Sequence, residues 1–233
     1  MFSVAVIGPD GAGKTTIARR LESAGELPIK YLYMGINIES SNVALPTSRL
    51  IEFVKRLRRR QRGAPAAASH ALHHHNGGSR KSQSCLWAVL KLCNRLAEEW
   101  YRQYLSWRYR RRGAIVVYDR HFKFDFEREQ SHTGERRPWT DNLHRWLLAR
   151  FYPSPDLVIY LDAPAEVLHA RKQEASLAYL EARRRAFLRQ GKMTRNFIIV
   201  DANQPCDTVY AEVVRYIRDF HQTRRTSNPV AAG

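Results

Sequence analysis

Apolar residues along this chain fall into two patterns. Short runs rich in Val and Ile stand at 2–7, at "AIVVYD" (114–119), at "DLVIYLD" (156–162) and at "FIIVDA" (197–202), with a weaker run at "IKYLYM" (29–34). Runs of this length with little polar alternation predict strands covered on both faces. The intervals between them are long enough for crossover helices, and helical periodicity appears in several. "KTTIARRLESAG" predicts a helix that stops at Gly25. Leu86, Leu90, Cys93, Ala97, Trp100, Tyr104 and Trp107 recur at alternating steps of three and four, which predicts a long helix with one apolar stripe turned to the core. A further helical stretch spans about 165–190, and another opens near Pro205, whose fixed φ suits a first turn. Together these elements predict one α/β domain: a doubly wound, parallel, five-stranded sheet with helices on both faces and ligands at the carboxyl ends of the strands.

One segment adds chemistry to this frame. Gly8 to Thr15, "GPDGAGKT", fits G-x-x-x-x-G-K-[ST] between a predicted strand and a predicted helix, the context the motif requires. The glycines at 8, 11 and 13, with Ala12 between, let backbone N–H groups turn inward around phosphate oxygens, and the helix N-terminus adds its positive end. Lys14 is expected at the β- and γ-phosphates, and the Thr15 hydroxyl on Mg²⁺, with Asp10 and Thr16 completing the nucleotide cradle. A GTPase would also carry an N-K-x-D box, and none of the eight lysines stands in one. A transporter ATPase or a helicase would need a longer chain with further motifs. A small phosphotransferase with a second substrate is what remains.

Composition narrows the setting. The opening "MFSVAVI" lacks a basic leader and reads as a strand rather than a signal peptide, and no run is long enough to span a membrane. Cys85, Cys93 and Cys206 have neither zinc nor disulfide spacing; they fit a reducing cytoplasm and read as small core residues. The net charge of +17 is concentrated: residues 55–112 hold fifteen Lys or Arg against Glu98 and Glu99 alone. Residues 55–84 read as a basic, disordered insertion, in which His73 to His75 count as low complexity.

Four segments together resemble the thymidylate kinase family of nucleoside monophosphate kinases: "GPDGAGKTT" (8–16), "YDRH" (118–121), "PDLVIYLDAPAEVLHARK" (155–172) and "DANQPCDTVYAEV" (201–213). The resemblance implies a P-loop kinase that uses ATP and Mg²⁺ to phosphorylate a nucleoside monophosphate such as dTMP. It implies that Asp10 faces the acceptor's sugar, that Arg120 grips its phosphate, and that Asp119 organises Mg²⁺ with Thr15. It makes 171–192 a lid opened by Arg171, with Arg183, Arg184, Arg185 and Arg189 as its arginines, and gives Arg171 and Arg183 a part in catalysis. Asn203, Gln204 and Pro205 match the loop around the donor adenine. The expected domain runs over 1–222, with 223–233 as a flexible tail.

The match stops between about 35 and 112. The family's R-E-P-G-G-T segment is replaced by "GINIESSNVALPTSRL", in which Arg49 is a guess for its arginine and Glu39 the first acid. A hydroxyl acceptor would want a carboxylate nearer the end of the second strand, so a phosphorylated acceptor is favoured. After the D-R-H, "FKFDFEREQ" replaces the usual thymine-pocket stretch; Phe122, Phe124 and Phe126 alternate as in a short packed extended segment, or as rings that stack on a base. "KRLRRRQR" (55–62) suits a polyanion, anionic membrane or nucleic acid, whereas "WYRQYLSWRYRRR" (100–112) reads as core stripe plus solvated face. The alternatives to a nucleotide acceptor are a sugar phosphate or lipid-linked metabolite, or an NTP-dependent module that binds membrane or RNA. A homodimer is a further expected partner state.

Overall fold

The computed structural model describes residues 1–35, 85–125 and 139–227. The insertion 55–84, Glu39, Arg49 and Phe126 lie outside the described residues. In chain order the elements are β1 (Ser3–Ile7), α1 (Lys14–Ser23), β2 (Ile29–Tyr33), α2 (Cys85–Arg111), β3 (Ile115–Asp119), α3 (Phe122–Asp125), α4 (Trp139–Phe151), β4 (Leu157–Asp162), α5 (Ala165–Arg171), α6 (Leu177–Gly191), β5 (Phe197–Asp201) and α7 (Cys206–Ser227). All five expected strands form, and they make one parallel sheet in the order β2-β3-β1-β4-β5. This is the α/β fold of a P-loop kinase, with β1 and its loop at the centre of the sheet.

The side-chain period of two along each strand divides the core into two layers. Val4, Val6, Val117 and Ile159 face Ile17 and Leu21 of α1 and Val213 and Ile217 of α7. Ala5, Ile7, Tyr118 and Tyr160 point the other way, towards Leu148 of α4 and Phe187 of α6. The edge strand β5 is the least covered, with Ile199 half exposed.

Helix α2 overturns the expected orientation of its stripe. Trp100, Tyr104 and Trp107 stand 48%, 50% and 44% exposed, while Glu98, Glu99, Arg102, Gln103 and Ser106 are buried. The reason is the kind of surface that α2 meets. Ser106 shares a 2.6 Å hydrogen bond with the Tyr118 hydroxyl, Arg102 Nη1 donates to the Gly35 carbonyl at 2.9 Å, and both Glu99 oxygens lie 2.8–2.9 Å from His144 Nε2 of α4. Polar groups of β3, α4 and the turn after β2 meet polar groups on α2, while Leu92, Leu105 and Tyr109 add apolar contacts. Cys93 and Cys206 are likewise exposed rather than in the core.

Four elements differ from the periodicity. The stretch 165–190 divides into α5 and α6, because the Ser176 hydroxyl accepts from Tyr179 N–H and caps a new start. Residues 122–125 form a helical turn rather than an extended segment, with Phe122 and Phe124 buried in the second layer. Helix α7 continues past residue 222 to Ser227, and α4 was not visible as a helix at all.

Arg102 is fully buried with Glu98 3.9 Å away, so deleting it leaves a buried carboxylate and an unanswered carbonyl. Arg102→Ala is expected to lower unfolding stability by about 3–5 kcal/mol in urea denaturation. Trp107→Ala, on the exposed side, should change it by about 0.5 kcal/mol or less.

Candidate active site

Strand β1 delivers the chain into the loop 8–13 with no room for side chains at two points. A Cβ on Gly8 would lie 2.6 Å from the Leu161 carbonyl oxygen, and one on Gly11 would lie 2.7 Å from that of Leu168; both φ values are positive. The loop can therefore wind tightly against β4 and α5 only with glycine there. Gly13, also at positive φ, caps α1 without a side chain, and no acid stands in the first turn, so the helix end is open to an anion. Lys14 is buried and folds back over the loop, its Nζ donating to the Pro9 carbonyl at 2.6 Å and lying 4.0 Å from Asp10.

The carboxyl end of β3 meets this loop because register pairs Val6 with Asp119. Asp119 is fully buried, and its Oδ2 accepts from the Thr15 hydroxyl at 2.6 Å and from the Tyr31 hydroxyl at 3.1 Å. Its Oδ1 has no hydrogen-bond partner among the described residues. A buried carboxylate oxygen left over beside a threonine hydroxyl fits Mg²⁺, which takes one or two protein oxygens and fills its octahedron with water and phosphate.

Arg120 follows with φ 70°, a left-handed backbone uncommon for a residue with a side chain. That turn aims its guanidinium across the crevice, where Nη2 donates to Asp10 Oδ1 at 2.6 Å. Asp10, Lys14, Thr15, Asp119 and Arg120 are thus brought into one constellation from two loops. His121 leaves it: it is buried against Tyr118, Phe124 and Tyr152, and desolvation, helped by the Lys123 charge, pushes its pKa down to about 3.

The remaining expected residues sit on the β4–β5 side. Arg171 Nη1 donates to the Ala202 carbonyl at 2.8 Å and so ties the end of α5 to the loop after β5. Asn203 and Gln204 line a cleft of about 480 Å³ with Asp162, Asp201, Arg184 and Glu212. Pro205 stands just before α7, where its carbonyl accepts from Val209 N–H. On α6, Arg183 is buried with its guanidinium 4.6 Å over Phe187. Its neighbour Arg184 reaches the cleft and holds Asp162 at two points, 2.7 and 2.8 Å. Asp162 pushes the Arg184 pKa upward, chiefly through these hydrogen bonds.

No family model matches the chain. It is 28% identical over 123 residues to a probable thymidylate kinase of Archaeoglobus fulgidus, covering 50% of this chain and 59% of that protein. It is 31% identical over 77 residues to a thymidylate kinase of Thermosipho africanus, covering 30% and 38%. Over part of its length the chain is similar to these thymidylate kinases. It spans less than two thirds of the length of either relative.

The site includes one residue that pattern alone passed over, Tyr31. A tyrosine inside an otherwise buried strand needs a partner for its hydroxyl, and that was the available signal. Burial and the Asp119 charge push the Tyr31 pKa well up, so it stays a donor to that carboxylate. Tyr31→Phe should leave Asp119 less firmly oriented and raise the Mg²⁺ concentration needed for half-maximal ADP formation about tenfold.

A second expectation concerns pH. Folded His121 stays neutral, whereas in the unfolded chain it takes up a proton below its ordinary value of 6.5. Stability from this group is therefore complete above that value and falls as pH drops towards 3. Between pH 7 and 5 the loss is about 2 kcal/mol, and His121→Asn should lack that component in denaturation measured at both pH values.

Proposed function

We propose that the chain is a cytoplasmic, ATP- and Mg²⁺-dependent phosphotransferase that passes the γ-phosphoryl group of ATP to a nucleoside monophosphate of the dTMP kind, giving the diphosphate. The observation that carries this reading is the 2.6 Å pair between Arg120 and Asp10, one from each of two strand ends, beside the phosphate-loop Lys14. A loop that only held a nucleotide would have no use for a second cation turned in from β3. A phosphate monoester brings a charge of about −1.5 to −2 at neutral pH and needs no general base to attack.

In this reading Lys14 and the N–H groups of 8–16 hold the donor phosphates, and the cleft at Asn203 and Gln204 takes the adenine. Mg²⁺, held by Thr15 and Asp119, supplies neutralisation of charge on the phosphates. Asp10 orients Arg120 for the acceptor phosphate, and phosphoryl transfer then depends mainly on position and charge. Arg171 fixes the lid's entry, while Arg183 and Arg184 are the lid cations placed to respond to its closure.

A second reading keeps the kinase and changes the acceptor to a sugar phosphate or lipid-linked phosphate. It is favoured by the burial of Phe122 and Phe124, which withdraws both rings from stacking on a base. ADP release measured over a panel of nucleoside monophosphates and sugar phosphates separates the two. Mg²⁺-dependent turnover of a nucleoside monophosphate is expected, lost in Lys14→Ala and lowered about 100-fold or more in kcat/KM in Arg120→Ala. Silence with nucleotides and turnover of a sugar phosphate would select the second reading, and silence with the whole panel overturns both.

A further inference from the structure

Arg120 stands on a strained backbone, so the aim of its side chain has to be set by what surrounds it. Its N–H is fixed to the Val6 carbonyl, and its guanidinium ends on Asp10. Between these two points the aliphatic stem runs beside Gly35, two residues past β2. A Cβ on Gly35 would stand 2.8 Å from Arg120 Cδ and would also strike the Tyr33 hydroxyl. The φ of Gly35 is not in the left-handed region, so it is the close approach that requires glycine here and not the backbone conformation.

The turn that presents Gly35 is tied from three directions. Met34 N–H donates to the Asp119 carbonyl at 3.0 Å, the Tyr152 hydroxyl donates to Met34 Sδ at 3.3 Å, and Arg102 Nη1 of α2 donates to the Gly35 carbonyl at 2.9 Å. The third tie is the costly one. Arg102 is buried, its ion pair with Glu98 is long at 3.9 Å, and desolvation is the largest cause pulling its pKa down. An apolar side chain of similar volume would pack α2 on the sheet without that penalty. Only a donor can hold a carbonyl in place beside Arg120.

We propose that Gly35 and Arg102 are positioning residues for the Arg120 guanidinium: Arg102 holds the Gly35 carbonyl, and the bare Cα of Gly35 lets the Arg120 stem pass close enough to reach Asp10. The inference rests on the reading of Arg120 as the residue that takes the acceptor phosphate, and it names what sets that residue's aim. A methyl group at position 35 has to displace one of two neighbours. Tyr33 is buried within the first core layer, whereas the Arg120 side chain is 21% exposed, so Arg120 is the one that moves.

The test uses Gly35→Ala, which keeps every polar group of the turn, beside Arg102→Gln and Arg102→Lys. Each is read by crystal structure and by ADP release with dTMP as the acceptor, with binding of a fluorescent ATP analogue measured in parallel. In Gly35→Ala the Arg120 guanidinium is expected to leave hydrogen-bond distance of Asp10, and KM for dTMP to rise about tenfold or more while KM for ATP and analogue binding hold. Arg102→Gln should act in the same direction, and Arg102→Lys, which still donates to the carbonyl, should recover most of the loss. An Arg120–Asp10 pair left intact in Gly35→Ala overturns the proposal, as does a KM for ATP that rises in step with that for dTMP, the mark of general loosening. Arg120 unmoved in Arg102→Gln overturns the part given to Arg102. Displacement of Arg120 with unchanged dTMP kinetics supports the positioning and overturns the acceptor role of Arg120 instead. If the wild type does not turn over dTMP, the structures alone decide the positioning.

Discussion

The Asp119 carboxylate is the point on which the constellation turns. It ends the strand beside β1, and three other elements meet there: Thr15 from α1, Tyr31 from β2, and Arg120, the next residue along. Backbone bonds hold the same junction, since Arg120 N–H donates to the Val6 carbonyl at 3.2 Å and Met34 N–H to that of Asp119 at 3.0 Å. A buried carboxylate is costly unless its hydrogen bonds are made, and two hydroxyls on one oxygen leave the other free for a cation. Parallel register and a single acid therefore set where loop and guanidinium stand.

Helix α2 shows a different economy. A stripe of apolar residues at alternating steps of three and four marks one side of a helix, but the period says nothing about which side faces the core. Here the deciding partners are far away in sequence: Tyr118, His144 and the Gly35 carbonyl present polar atoms to the helix. Burying Glu98, Glu99 and Arg102 gives little net stability compared with an apolar layer, and it makes each member of the network sensitive to loss of another. The aromatic side is then left outside by default of geometry rather than by weak hydrophobicity.

The sheet was legible in the chain because buried parallel strands leave a local signature, and even the weaker run at 29–34 forms β2. The phosphate loop was legible for a similar reason: its glycines answer nearby backbone atoms of β4 and α5, and its lysine follows at fixed spacing. Tyr31 and the Asp162–Arg184 pair were harder to read, since each joins residues whose nearness exists only after folding. Helix α4 was missed because no apolar rhythm marks it clearly: Trp139 and Trp146 point outward, and a histidine, His144, occupies an inward place.

Arg120 carries a conflict within one residue. Its backbone lies at φ 70°, where glycine or asparagine would be more comfortable, while its side chain completes the pair with Asp10. Such strain is sustained only by the surrounding structure. Selection for heat resistance alone would reward relaxation at this position, and selection for the pair with Asp10 would oppose it. The residue thus marks a place where a better-folded variant of this protein would give up the guanidinium that Asp10 holds.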